Sequence, residues 1–117
     1  MKEIKVYKFW APWCGPCKML APVFQRVKEE NSANKGLEFI EVNADEDENE
    51  DLISKFGIRN IPTIIVYNKT NDKIMSFLTG LMNYDSLSKA IAGVISEEKD
   101  TSVSENESSR NKEKDNT

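Results

Sequence analysis

Both cysteines of this chain lie in the stretch FWAPWCGPCKM, at positions 14 and 17, with only Gly15 and Pro16 between them. Two thiols at that spacing can form a permanent cross-link, furnish half of a metal site, or open and close as a redox pair. As a cross-link the pair is weak. Closing so small a ring contributes about 2 kcal/mol on chain-entropy grounds, less than half of what a loop of about 100 residues gives. As a zinc site it is short of ligands, because structural zinc takes four Cys or His and this chain has Cys 2 and His 0. A homodimer would be needed to complete it.

A redox pair accounts for every feature of the stretch. With Cys14 capping a helix and Cys17 in its first turn, the two Cα atoms stand about 5–6 Å apart, within disulfide reach. The helix amino terminus presents partial positive charge and free N–H groups to the Cys14 sulfur, which favours thiolate, and Lys18 adds a nearby cation. Cys14 is then the exposed attacking nucleophile. Cys17, turned inward by helical geometry, is the thiol that resolves the mixed disulfide. Pro16 fixes a φ suited to the first turn and brings no N–H that must be satisfied.

Several elements must position this pair. IKVYKFW, residues 4–10, is a β-rich run without clean alternation, as expected of a strand covered on both faces. Leu20, Val23, Phe24 and Val27 recur at helical spacing, so a helix runs from about Cys14 to Glu30, with Pro22 expected to kink it. LEFIEVN, residues 37–43, reads as a second strand. The acidic run that follows leads to Leu52, Ile53 and Phe56 in a short helix closed by Gly57. PTIIVYN and KIMSFLTG flank the polar loop Lys69 to Asp72 as a hairpin. Asn83 caps a last helix whose buried stripe is Leu87, Ile91, Val94 and Ile95. The order βαβαββα predicts an α/β fold with a mixed four-stranded sheet and helices on both faces.

Composition narrows the possible functions. The chain has 117 residues, enough for one domain, and 16 Lys+Arg stand against 20 Asp+Glu. That balance argues against direct binding to nucleic acid, which needs a basic face. MKEIKVYKFW is too short and interrupted for a secretory h-region, and no run approaches transmembrane length, so the chain reads as cytoplasmic with no membrane partner. In that compartment a cysteine pair is more often catalytic or metal-binding than a permanent cross-link. From Glu97 the sequence EEKDTSVSENESSRNKEKDNT holds one aliphatic residue, Val103. Such a segment buries too little apolar area to offset its ordering entropy. The expected organisation is a domain over residues 1–97 and a disordered polar tail over 98–117.

WCGPCK at 13–18 resembles the active site of the thioredoxins, and FWAPWCGPCKMLAP follows that family's pattern through Trp10, Trp13 and Pro22. GIRNIPT at 57–63 resembles the family segment that holds a cis proline, which implies a cis Ile61–Pro62 bond against the disulfide. Gly80 matches the glycine beside the family's substrate groove. The resemblance implies a minimal thioredoxin fold and a protein-disulfide reductase working through a Cys14–Cys17 disulfide. It implies no bound cofactor and no metal, with NADPH acting only indirectly through a thioredoxin reductase. Disulfide-containing proteins are the implied substrates and a monomer the implied state.

Three departures from the family pattern stand out. Only three residues precede the first strand, so the family's opening strand and helix are absent from this stretch and one sheet edge is less protected. The acidic stretch after Asn43 is slightly longer than usual. Relatives generally carry a buried Asp at the position of Lys8 and often a Lys at that of Glu41, so the charges here are exchanged. A reversed buried ion pair beneath the cysteines is expected, since either charge alone is costly there. Lys8, Glu41 and Lys18 would then tune proton transfer and thiol pKa. A protonated Lys8 would favour thiolate and make the disulfide a stronger oxidant.

The remaining candidates form a docking surface. Trp13 is expected to be exposed and Trp10 to belong to the core. Trp13, Gly15, Pro16, Ile61, Pro62, Thr63, Gly80 and Leu81 would make a flat groove where an extended substrate strand pairs by backbone hydrogen bonds. The run Asp45 to Asp51 lacks the glycine and spacing of a calcium loop and reads as a solvated helix start. Two other functions fit parts of this pattern: a binding subunit using the same surface without turnover, and a more oxidising oxidase or isomerase.

Overall fold

A computed structural model describes residues 3–100, with side chains described over 3–95. The polar tail expected over 98–117 lies outside the described residues, except where the last helix runs on to Asp100. The elements are β1 (Ile4–Trp10), α1 (Gly15–Glu30), β2 (Leu37–Asn43), a 3₁₀ turn (Asp47–Asn49), α2 (Glu50–Phe56), β3 (Thr63–Asn68), β4 (Lys73–Thr79) and α3 (Tyr84–Asp100). The sheet runs β2-β1-β3-β4. β1 and β2 pair in parallel, with α1 as the crossover that a parallel pair requires, and the other pairs are antiparallel. This is the α/β architecture expected from the order of elements.

All six residues of β3 are buried, as a central strand covered on both faces demands. On one face Val6, Ile64 and Val66 pack against Leu20, Phe24 and Val27 of α1 and Leu87, Ile91 and Val94 of α3. On the other, Phe9, Ile65 and Tyr67 pack against Phe56 of α2, with Leu52 and Ile53 at the margin. The predicted stripe of α3 faces the core, and Ile95 is its half-buried end.

Local signals explain where elements begin and stop. Asn83 Oδ1 accepts the Ser86 N–H at 2.9 Å, capping α3. Gly57 takes φ 64° after α2, a left-handed conformation that a side chain would resist. Glu50 and Asp51 occupy the first turn of α2, where acidic groups favour the helix dipole. Among the described residues no group of three or more His, Cys, Asp or Glu is placed to hold a metal ion. No described helix is long and apolar enough to cross a membrane.

Candidate active site

The site forms where β1 ends and α1 begins. The Cys14 N–H donates to the Ala11 carbonyl at 3.1 Å, turning the chain out of the sheet, and Cys14 then takes the extended conformation of an N-cap. Its Sγ accepts the Cys17 backbone N–H at 3.1 Å. A sulfur at this position satisfies one of the orphan donors of the first turn, and as a thiolate it would be held by the same donor and by the helix dipole. Pro16 sits in the first turn, where its missing N–H costs nothing. Cys14 and Cys17 are joined as a disulfide with their Cα atoms 5.2 Å apart.

The expected exposure of Cys14 is not found. Cys14 is 4% exposed and Cys17 2%, because Trp10 and Ile61 pack over the cluster that the two cysteines form with Ala11. What distinguishes them is direction. Cys17 lines a cavity of about 150 Å³ together with Lys8, Trp10, Lys18 and Glu41, whereas Cys14 sits at the helix cap. Trp10, expected in the core, is half-buried at the end of β1 and packs beside the disulfide instead. Its Nε1 is buried with no hydrogen-bond partner among the described residues.

The loop facing the cysteines is built as the motif implied. The Ile61–Pro62 bond is cis, and Ile61 packs against the cysteine cluster. The Gly80 N–H donates to the Pro62 carbonyl at 2.9 Å, tying the end of β4 to this loop. Gly80 has φ 84°, and a Cβ built there would meet nothing within 4 Å, so glycine is required by backbone conformation and not by space. Thr63 is fully buried, its hydroxyl donating to the Asn60 carbonyl at 2.6 Å. It braces the loop from behind, and Pro62 is buried as well. Trp13 (70% exposed), Leu81 (54%), Gly15 and Pro16 present the open surface.

Asp45 is a site residue that the sequence reading passed over. Its carboxylate accepts the Trp13 Nε1–H at 3.0 and 3.1 Å, so the exposed indole is held by one edge. The signal was available in the strand register: Trp10 pairs with Asn43, which puts residue 45 beside the same end of the sheet. Asp45→Ala in a Trp10→Phe background should cost only about 0.5–1 kcal/mol of stability, as loss of a solvent-accessible bond does. The same variant should make Trp13 fluorescence markedly easier to quench with iodide; unchanged quenching would mean that other contacts hold the ring.

Lys8 and Glu41 are register partners on adjacent parallel strands, so both side chains leave the same sheet face. Lys8 Nζ lies 4.0 Å from Glu41 Oε1, but the side chains are 4% and 47% exposed. The expected buried pair is therefore one-sided. β1 is internal to the sheet and α1 covers Lys8, whose Nζ stands 5.3 Å from the Phe24 ring centroid. β2 is an edge strand, so Glu41 reaches solvent. Burial pushes the Lys8 pKa below its usual 10.5, and the Glu41 carboxylate partly opposes that shift. Lys18, the third expected tuning residue, is exposed and lines the same cavity.

The family model for thioredoxin matches residues 1–93. Among curated relatives, thioredoxin of Bacillus subtilis is 47% identical over 58 residues, covering 50% of this chain and 52% of that protein. Thioredoxin 1 of Synechococcus elongatus is 44% identical over 59 residues, with 50% and 51% covered. The chain spans about half the length of these relatives in the matched region. Among solved structures, thioredoxin of Malassezia sympodialis superposes with a TM-score of 0.67 at 32% identity, covering 78% of this chain and 74% of that one. A malaria-parasite thioredoxin-2 superposes with a TM-score of 0.68 at 23% identity, covering 79% and 84%, and speaks for the fold alone.

Proposed function

The chain belongs to the thioredoxin family, and on that footing we propose that it is a thiol–disulfide oxidoreductase that reduces protein disulfides. The observation that carries this reading is the Cys14–Cys17 disulfide at a helix cap, with Cys14 Sγ accepting the Cys17 N–H. Reduced, the pair offers a helix-stabilised Cys14 thiolate that attacks a substrate disulfide and a Cys17 thiol within reach to resolve the product. The groove of Trp13, Gly15, Pro16, Ile61 and Leu81, backed by Pro62, Thr63 and Gly80, receives the substrate strand. Leu81 and Trp13 supply apolar contact and the backbone beside Pro62 and Gly80 supplies hydrogen bonds.

In this reading the protein binds no cofactor or metal and works as a monomer in the cytoplasm, without direct nucleic-acid or membrane contact. A thioredoxin reductase that draws on NADPH returns it to the dithiol. One observation favours a second reading. Lys8, a buried cation lining the cavity beside Cys17, would stabilise the reduced form and move the protein toward a disulfide oxidase or isomerase. Turnover of insulin disulfides, fed by dithiothreitol or by a reductase with NADPH, tests the proposal. Wild type should turn over and the double Cys14→Ser, Cys17→Ser variant should not. A partner-binding role would instead survive loss of both thiols, so a wild-type protein inert toward insulin overturns the reductase.

A further inference from the structure

We propose that Lys8 holds the resolving Cys17 as a thiolate, its ammonium pairing with the sulfur across the cavity that both side chains line. The inference rests on the thiol–disulfide exchange proposed above. Three observations support it. Lys8 is nearly inaccessible, and its counter-charge, Glu41, is at the limit of pairing distance and half in water. A cation so placed is poorly compensated in the oxidised protein. The cavity is otherwise mostly apolar, with Ala11, Pro12 and Ala21 lining it beside Cys17. In so apolar a setting a buried ammonium gains from a second counter-charge beside the half-solvated Glu41, and the group on this lining that becomes an anion during exchange is the Cys17 sulfur.

The charged and titratable groups facing Lys8 are few. Glu41 faces it from β2, and Cys17 and Lys18 from α1. From β3 its register partner is the apolar Ile64. Burial lowers the Lys8 pKa from its usual 10.5, a shift toward the neutral amine that can accept a proton.

The exchange balances as follows. Cys14 thiolate attacks the substrate disulfide, forming the mixed disulfide and releasing one substrate thiolate. The Cys17 proton leaves to water or to neutral Lys8, and either route ends at the same ammonium–thiolate pair. Cys17 thiolate then attacks Cys14 Sγ, forming the intramolecular disulfide and breaking the bond to substrate. The second substrate thiolate departs and takes up a proton from water. Two electrons have passed from the dithiol to the substrate. The pair with Lys8 exists only while Cys17 is reduced, so the same contact favours the dithiol form over the disulfide.

The test is the ionisation of Cys17 alone, read by ultraviolet absorbance of the thiolate against pH in a Cys14→Ser background. Lys8→Met should raise the Cys17 pKa by at least one unit, about a tenfold loss of thiolate. Lys8→Gln, neutral but polar, should do the same and carries the test should the methionine variant fail to fold. In the two-cysteine protein, Lys8→Met should shift the dithiothreitol equilibrium toward the disulfide by about tenfold, close to 30 mV. An unchanged or lowered Cys17 pKa in a folded variant overturns the assignment. Neither readout depends on turnover of a protein substrate, so failure here is distinct from failure of the reductase reading.

Discussion

Cys17→Ser is expected to stop disulfide reduction halfway, accumulating a mixed disulfide between Cys14 and the substrate, while Cys14→Ser forms no adduct. Each should lower turnover by about 10³-fold or more, as removal of one member of a catalytic unit does. The roles follow from the helix start. Cys14 Sγ already accepts the Cys17 N–H and sits on the positive end of α1, so the helix start stabilises its thiolate before any substrate is bound. Cys17 lies one helical step further in and faces the cavity of Lys8, away from the groove. Its attack on Cys14 is intramolecular across a Cα separation of 5.2 Å, which gives it a large advantage over any external thiol. The experiment is needed because the two residues differ so little in exposure, 4% against 2%. Mass spectrometry of the trapped species decides it. An adduct on Cys17 in the Cys14→Ser variant, with none on Cys14 in the other, would reverse the assignment.

Much of this frame was legible in sequence because it depends on spacing. The apolar run PTIIVYN had to supply one strand of a hairpin, Asn83 had to cap, and Gly57 had to stop a helix; each is found so. The cis Ile61–Pro62 bond, by contrast, is invisible to periodicity and came only from likeness of the surrounding segment. What spacing does not carry is how thickly each residue is covered. Lys8 and Glu41 were rightly set side by side, yet one lies in an internal strand under α1 and the other on an edge strand, so they share a face without sharing burial. Cys14 and Trp10 were misjudged in opposite senses for a related reason. The packing of Trp10 over the cysteines closes the sulfur and opens the indole, and that depends on how three chain segments meet.

Exchanging the charges at positions 8 and 41 should expose what the one-sided pair contributes. Lys8→Asp leaves a buried carboxylate facing Glu41 and should destabilise the oxidised protein by about 3 kcal/mol, the lower end of the cost of an uncompensated buried charge. Protonation of the new carboxyl limits the damage at low pH. Glu41→Lys should cost less, about 1 kcal/mol, because a half-exposed side chain can swing into water. The double variant Lys8→Asp with Glu41→Lys restores opposite charges. It should therefore be more stable than the sum of the singles by about 1–2 kcal/mol in denaturant unfolding. Strict additivity would mean that the two groups do not feel each other. The wild-type pH dependence bears on the same point. Burial holds the Lys8 pKa below its unfolded 10.5, so between the folded value and 10.5 the unfolded chain binds a proton that the native protein does not. Stability therefore rises with pH across that window, and below it the cost of burying the ammonium is present in full. Lys5 and Lys55, whose pKa values hydrogen bonds to Glu38 and Tyr67 raise, slope the other way. The contribution of Lys8 is thus the difference in stability between wild type and Lys8→Met, which should be least favourable to wild type at low pH and rise as pH climbs toward 10.5. A flat difference would place the charge of Lys8 in contact with water or with a stronger counter-ion than Glu41.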